Sequence, residues 1–554
     1  MSISPIVTSI LVGRGIPAEE HEAFLYPQFE RDLNDASLMH GMQEAVTRLL
    51  QAKDQHIVIF GDYDADGVPA TALLMRVLKK LGFTKLTPII PLRAEGYGLT
   101  PVSVETILTH KPEVLITVDN GTVAKAEVAS LAAAGVDVIV IDHHEPQAGH
   151  IAEAALAIVN PKQLHCKYPF KELCGCGLAW KLLWELSKAC GEDPEFLKWE
   201  LDIVALSTIA DLVPLTGENR LIAHFGLKVL AKTRNLGIQA LASAAGVDLP
   251  TVSAGDVGFK LAPRINAPSR MHHELLPSGE HAALTLFTAD STEQAASIAQ
   301  FLNTSNAERQ QLVENHLAEA RRQAAEQLDA KALVVFDESW SSGVIGLVAS
   351  KLVETYKRPA IVLALEHGVI KGSVRSVGDV HAIRLVEAGE AFLERYGGHA
   401  KAAGLTFRTG AVAMGAVGGF KELVHMGVAD VSLEELAASM EKTPEASVLL
   451  SDVSLELVHE LKLLEPFGMG FPEPLFSMQA VVTSLKEVGR EGSHLSCLLL
   501  DPVQPLVKKK AIGFGMQRGS LEDGMAVQVN AVVTEEVWQG VSSAVLQLKK
   551  ITAA

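Results

Sequence analysis

The sequence predicts an α/β fold: a parallel sheet first, a long helix joining it to a smaller α/β unit, and a β-barrel at the C-terminal end. Three observations predict it. Between about residues 41 and 235, short apolar runs alternate with helical patterns, which is the rhythm of βαβ units. Residues 292–328 are polar, Ala-rich and free of Gly and Pro, which suits a single bridging helix. Residues 450–554 hold five short strand patterns, enough for a small barrel.

In order along the chain, residues 1–40 read as an irregular lead-in. The run His56-Ile57-Val58-Ile59-Phe60-Gly61 is the first strand, followed by a helix near 68–81 (Ala72, Leu73, Val77, Leu78, Leu81). A strand near 86–91, a helix near 101–110, the strand 114–118, a helix near 122–134 and the strand 136–141 continue the alternation. Helices near 176–190 and 196–210 close the unit at about 235. Residues 236–330 form a connecting region that ends in the long helix. The second α/β unit spans 331–428, with strands Ala332–Phe336, Ala360–Leu365 and Gly368–Ser373 and helices near 343–356 and 379–388. The stretch 409–447 carries one helical pattern, with 429–449 expected as linker. The barrel strands are expected at Ala480–Val488, His494–Leu500, Lys509–Phe514, Met525–Val533 and Ser542–Leu548. There is no internal repeat.

At 554 residues the chain is long enough for three or four domains of about 150 residues each. Five cysteines give no disulfide framework and favour a reducing compartment. No secretion signal or membrane span is read, so a cytoplasmic protein that does not engage membranes is expected. Cys166, Cys174 and Cys176 raise a zinc site, but a second C-x₂-C pair is missing and Cys174-Gly175-Cys176 leads into a helical pattern, so small-residue helix packing is the better reading. The net charge of −18 weighs mildly against nucleic acid. That objection weakens if metals neutralise a carboxylate-rich site. Lys508-Lys509-Lys510 and Lys549-Lys550 are basic clusters that read first as solvated surface.

Three strand runs end in chemistry-bearing residues: Asp62-Tyr63-Asp64-Ala65-Asp66-Gly67, Asp119-Asn120-Gly121 and Asp142-His143-His144. In a parallel sheet these C-terminal ends line one crevice. Alternating Asp brings three carboxylates towards one point, whereas helix capping needs only one. A calcium EF-hand is excluded because the twelfth position from Asp62 is Leu73, not Glu. Asp211, before Leu212-Val213-Pro214, is weak alone but completes the set. Carboxylates with imidazole suit two Mn²⁺ or Mg²⁺ ions, a recurrent device for breaking phosphoesters. Phosphate-binding candidates are Arg93 and Tyr97 (the latter able to stack on a base), Arg264 and Asn266 in Pro263-Arg264-Ile265-Asn266-Ala267, Ser373 and Arg375, and Gly398 and His399 in the glycine-bounded loop Gly397–Gly404.

The ordered set GDYDADG, VDNG, IDHH, IADLVPL, APRIN, GSVRS and GGHAKAAG resembles the DHH phosphoesterase superfamily with its DHHA1 partner domain. Within it, the chain is most similar to the RecJ family of single-strand-specific 5′→3′ exonucleases. Phe24-Leu25-Tyr26-Pro27, the segment Pro466–Pro474 and the C-terminal barrel extend the similarity. The resemblance implies a DHH domain at 41–235, a DHHA1 domain at 331–428 and an OB-fold for single strands at 450–554. It implies that Asp64, Asp66, Asp119, His143 and Asp211 ligate two Mn²⁺ or Mg²⁺ ions with Asp119 bridging, while Asp62 and Asp142 stand close behind and His144 meets the scissile phosphate. Arg93, Arg264, Ser373, Arg375 and His399 would hold the 5′ end. The implied activity is metal-dependent hydrolysis of single-stranded DNA to mononucleotides, by a monomer, in recombination and mismatch repair beside a single-strand-binding protein and a helicase. Departures from the pattern are Ser341 for His, Pro268-Ser269 for a small Ala-Gly pair, and Phe471 for Asn.

Two other readings compete. A phosphodiesterase of the same superfamily acting on short oligonucleotides or cyclic dinucleotides, or a pyrophosphatase, would lack the C-terminal barrel. A non-catalytic replication scaffold would have lost carboxylates that are all present here.

Overall fold

The computed structural model describes residues 3–410, 413–428, 430–489 and 492–554; Met1 and Ser2 of the expected lead-in and Ala429 of the expected linker lie outside them. The first sheet has five parallel strands, β1 (Ile57–Phe60), β2 (Leu86–Ile89), β3 (Val114–Val118), β4 (Asp137–Ile141) and β5 (Ala157–Val159), in the order β2-β1-β3-β4-β5. Both faces are covered, so the strands read as unbroken apolar runs. The pleat divides them. Ile57 and Ile59 join Leu73, Leu78, Trp180 and Leu183 on one face, while Val58 and Phe60 join Ile107, Val128 and Leu131 on the other. The chain runs from β1 to β2 on one side, then returns to place β3 on the other side of β1. The crevice at that reversal, beyond the C-terminal ends of β1 and β3, is where such sheets bind ligands. β5 was not anticipated, since three residues are too short a run to show a period.

The helices of this unit include Gly67–Lys80, Gly175–Ala189 and Leu201–Ala210. Beyond them the connecting region is helical at Leu236–Ala245 and Ala262–Met271, and then comes the bridging helix Thr292–Ala325, 34 residues long. At about 1.5 Å per residue it spans roughly 50 Å. Pro263 and Pro268 disguise the Ala262–Met271 helix in the sequence, because proline inside a pattern reads as punctuation.

The second unit has strands β6 (Leu333–Asp337), β7 (Ala360–Glu366), β8 (Val369–Arg375), β9 (Leu393–Gly398) and β10 (Ala402–Phe407), in the order β6-β7-β8-β10-β9. The glycine-bounded loop expected over Gly397–Gly404 is instead the tip of the β9–β10 hairpin: Gly397 pairs with Gly404 and Gly398 with Ala403. A Cβ on Gly398 would lie 2.4 Å from the Ala402 carbonyl oxygen, so glycine there permits the close return of the chain. The expected single helix between this unit and the barrel is two, Ala413–Gly427 and Leu433–Ala438.

The C-terminal unit contains β11 (Ala446–Ser447), β12 (Phe476–Val488), β13 (His494–Leu500), β14 (Lys508–Phe514), β15 (Ala526–Trp538) and β16 (Val541–Ala553). Pairing runs β11-β12-β13-β14-β16-β15, and β12 also pairs with β15, which closes the barrel. The lead-in is not irregular. Residues Pro5–Gly13 form a helix capped by Ser4, and its Val7, Ile10 and Leu11 enter the barrel core beside Phe476, Val482 and Leu546. No helix among the described residues is long and apolar enough to cross a membrane.

Candidate metal centre

β1 delivers Asp62, Asp64 and Asp66 to the crevice, β3 delivers Asp119, and β4 delivers Asp142, His143 and His144. Asp64 Oδ1 accepts from the Asp66 and Gly67 amides at 2.8 and 3.1 Å and so caps the helix that follows. Gly67 is required by closeness: a Cβ there would stand 2.4 Å from the Asp62 nitrogen. Asp119 holds a left-handed backbone, φ +65°, which turns its carboxylate back over the sheet end. Asp211 ends the Leu201–Ala210 helix and enters from above.

The side chains converge. His143 Nε2 lies 3.1 Å from Asp119, 3.6 Å from Asp211 and 3.9 Å from Asp66. Three sets have ligand atoms all within 4.8 Å of one another: Asp62, Asp64 and Asp119; Asp66, His143 and Asp211; and Asp119, His143 and His144. Asp119 therefore stands between an all-oxygen group and a group with one imidazole. Asp62 lies inside the oxygen group, while Asp142 stands behind the histidines. Asp142 Oδ1 accepts from the His143 and His144 amides, at 2.8 and 3.1 Å, and lies 2.8 Å from His144 Nδ1; its Oδ2 accepts from Thr122 N at 2.9 Å.

The electrostatics show what the cluster lacks. Burial, then the charge of Asp64, pushes the Asp62 carboxyl well above its ordinary range; burial, then Asp66, does the same to Asp119 and Asp211. Asp66 rises to about 6, again by burial and then by Asp64. His143 falls to about 3 through burial and the neighbouring His144. Burial is the largest influence on His144 and would lower it, but the bond to Asp142 together with the charges of Asp142, Asp62 and Asp64 outweighs burial and raises it. At Asp142 burial is likewise outweighed, by that bond, the two histidines and the Thr122 amide together, and the carboxyl is lowered. Asp62 Oδ1 and Asp211 Oδ2 are buried with no hydrogen-bond partner. Buried carboxylates that repel one another and leave oxygens unsatisfied need cations. Their hard oxygens, with one neutral imidazole, fit a pair of Mn²⁺ or Mg²⁺ ions.

One contributor was not foreseen. The Gly175 and Cys176 amides donate to the two oxygens of Asp66 at 2.6 and 2.9 Å, so the N-terminus of the Gly175–Ala189 helix holds this carboxylate. Cys174 and Cys176 are buried helix-start residues, and none of the three ligand sets includes a cysteine.

An 810 Å³ cleft opens between the two α/β units, lined by Tyr63, Arg93 and Tyr97 on one side and Ser373, Arg375 and Tyr396 on the other. The Arg93 guanidinium lies 5.2 Å from the Tyr63 ring centre, and Arg375 donates to Ser373 Oγ at 3.1 Å. The Tyr97 hydroxyl donates to the Asp119 carbonyl at 3.2 Å and sits 2.9 Å from His144 Nε2, so this side chain braces the metal centre as well as facing the cleft. Arg270, absent from the sequence-derived candidates, also lines the cleft. Its guanidinium is pushed down to about 10, first by burial and then by Arg93, Arg309 and Arg375. Such a cationic cluster suits phosphates. The cleft lining does not include Arg264, Asn266, Gly398 or His399. Arg264 turns to Asn303 of the bridging helix at 2.9 Å, Asn266 Oδ1 is buried without a partner, and Gly398 and His399 sit at the hairpin tip. Arg270 was hidden with its helix: six residues after Arg264, it projects from a different face.

Comparison with known proteins agrees with this architecture. Residues 56–208 match the DHH family N-terminal domain, 329–424 the DHHA1 domain and 445–550 the RecJ OB domain. The single-stranded-DNA-specific exonuclease RecJ of Bacillus subtilis is 37% identical over 95% of this chain, which spans 64% of that relative's length. The RecJ of Haemophilus influenzae is 33% identical, with 86% of this chain and 84% of the relative covered. The crystal structure of Thermus thermophilus RecJ with Mn²⁺ superimposes with a TM-score of 0.84 at 30% identity, covering 100% of this chain and 76% of that one. The same organism's RecJ with Mg²⁺ gives 0.78 at 29% identity, covering 100% and 75%. Fold, domain order and sequence agree over most of the chain, and the protein belongs to the RecJ family of DHH phosphoesterases.

Proposed function

We propose that the protein hydrolyses single-stranded DNA from its 5′ end, 5′→3′, releasing mononucleotides with the help of two divalent ions. One observation carries this reading. Two groups of metal-ligand atoms meet at Asp119, and an arginine-lined cleft opens beside them. Asp62, Asp64 and Asp119 would hold one Mn²⁺ or Mg²⁺, and Asp66, His143, Asp211 and Asp119 the other. Such a pair, when bound, supplies Lewis acidity and a more acidic water beside the phosphate.

The chain's own residues do the rest. Arg93, Arg270 and Arg375, with Ser373, bind the phosphates and orient the strand. His143, kept neutral, offers its Nε2 lone pair as a ligand. His144, whose pKa Asp142 helps to raise and whose Nδ1 Asp142 holds, would turn its Nε2–H from Tyr97 to a non-bridging oxygen of the scissile phosphate. The bridging helix sets the spacing of the two units, so the cleft takes one strand and excludes duplex. The barrel extends the track for a longer polymer, which favours this reading over an oligonucleotide phosphodiesterase. In the cell the protein acts as a cytoplasmic monomer in recombination and repair, with a single-strand-binding protein and a helicase as partners.

The test is a time course on DNA labelled separately at each end, with Mn²⁺, Mg²⁺ or EDTA, beside Asp119→Ala. Immediate mononucleotide release from the 5′ label, gradual shortening of the 3′-labelled strand, and silence with EDTA or the variant are expected. Cleavage confined to strands of a few nucleotides, or rapid digestion of blunt duplex without a helicase, overturns it.

A further inference from the structure

Asp211 leaves the metal centre on a short, strained segment. The next residue, Leu212, is in the left-handed region at φ +59°. A residue with a Cβ adopts this only at a cost, and the conformation persists where its surroundings enforce it. Four residues after Asp211, the Leu215 amide donates to the Met469 carbonyl at 2.8 Å. Met469 lies in Pro466–Pro474, the loop between the Leu455–Lys462 helix and strand β12 of the barrel.

This loop fits the 211–215 segment closely. A Cβ on Gly468 would fall 2.6 Å from Leu215 Cδ1; one on Gly470, which has φ +71°, would fall 3.0 Å from Pro214 Cβ. The loop is itself held from two sides. Arg220 donates to the Leu464 and Leu463 carbonyls at 2.6 and 3.1 Å, with its guanidinium 4.0 Å from the Phe24 ring centre and 5.3 Å from that of Phe471. Arg14, from the N-terminal helical lead-in, donates to the Pro472 carbonyl at 2.7 Å and lies 4.1 Å over Phe471. Phe471 is thus the plate on which two arginines from distant parts of the chain close.

We propose that the Pro466–Pro474 loop is a clamp, locked by Phe471, that positions Asp211 and so sets the affinity of one of the two metal positions. This rests on Asp211 being a ligand, as in the proposed function. Met469, Gly470 and Phe471 are positioning residues that reach the metal centre only through Leu215 and Pro214. By this route, attachment of the barrel and occupancy of the metal centre are coupled.

The experiment is Mn²⁺ binding by calorimetry and electron paramagnetic resonance on the full chain, with Gly470→Val, Phe471→Ala and Phe471→Tyr. Gly470→Val and Phe471→Ala are expected to weaken one Mn²⁺ position by about tenfold or more and leave the other unchanged, the size seen when a support behind a ligand is lost. High Mn²⁺ should restore turnover with the KM for single-stranded DNA unaltered, and Phe471→Tyr should bind as the parent does. Two Mn²⁺ bound at parental affinity in both variants overturns the clamp, whatever happens to turnover. If Gly470→Val does not fold, Phe471→Ala decides. In the unaltered chain the Leu215 amide must resist hydrogen exchange as well as the Leu201–Ala210 helix does; rapid exchange there also overturns it. Failure of the parent itself to bind two Mn²⁺ would instead remove the functional reading beneath.

Discussion

Gly175→Ala adds a single methyl group at a close approach to the metal centre. Its Cβ would stand 2.8 Å from Asp119 Cβ and 3.0 Å from both Asp119 Cα and Asp66 Oδ2. Carbon atoms at optimal separation are about 3.5–4.0 Å apart, so roughly 0.7 Å of movement or more is demanded. Neither side yields freely. The Asp119 amide is tied to the Ile141 carbonyl at 2.9 Å, and the Gly175–Ala189 helix is tied to Asp66 through the amides of Gly175 and Cys176. Overpacking of this kind costs about 1–3 kcal/mol. A misplacement of about 1 Å costs on the order of a hundredfold in rate, so a shift of roughly 0.7 Å should cost more than about tenfold. The assay is kcat on 5′-labelled single-stranded DNA, with Mn²⁺ affinity and a thermal melt alongside. Gly177→Ala on the same helix is the control, because its nearest neighbour, Leu173 Cδ2, would be 3.6 Å away, an ordinary contact. Gly175→Ala with parental turnover and Mn²⁺ affinity would falsify the reasoning, as would an equal loss in Gly177→Ala.

Three further outcomes are expected. Asp119→Asn should abolish cleavage by at least about a thousandfold, yet stabilise the metal-free protein at neutral pH by about 1–3 kcal/mol in urea melts, because a buried charge crowded by Asp66 and Asp64 is gone. In EDTA, stability should fall as pH rises from about 4 to about 6. Asp66 titrates near 6 folded against 3.8 in the free side chain, so the folded state holds the extra proton and loses roughly 3 kcal/mol on giving it up; saturating Mn²⁺ should reverse that slope, and an unchanged slope would show that the carboxylates are not the metal site. Arg375→Ala should raise the KM for DNA by about tenfold or more while changing kcat less, since a charged hydrogen bond to phosphate is worth about 1.5–3 kcal/mol; a loss confined to kcat would place Arg375 outside strand binding.

The convergence of carboxylates and imidazoles was legible because its parts are local. Each carboxylate or imidazole follows its strand within a few residues, and a parallel sheet gathers strand ends without any knowledge of distant packing. The supports behind those side chains were not legible. Asp66 is held by amides 109 and 110 residues away, and backbone amides carry no side-chain signature. Arg270 lines the cleft and Arg264 faces the bridging helix for one reason the sequence hides: Pro263 and Pro268 mask a helix, and without the helix neither direction can be assigned. The β9–β10 hairpin was hidden by the glycines that make its close pairing possible, since glycine in a strand reads as a loop.

The lead-in shows the same limit at longer range. Val7, Ile10 and Leu11 have the spacing of an apolar helical face, but a helix of nine residues is marginal on its own. What stabilises it is the barrel core, built from residues more than about 430 positions later. Local propensity could not report a partner so distant in sequence. Yet this helix and the segment after it carry Ser4, Arg14 and Phe24. Ser4 takes the Glu460 carboxylate on its amide, Arg14 holds Glu445 and Pro472, and Phe24 packs under Arg220. The two ends of the chain therefore fold as one unit, and that unit bears on the loop against which the Asp211 segment rests. Metal affinity, in this arrangement, depends on residues that no motif search would place near the reaction.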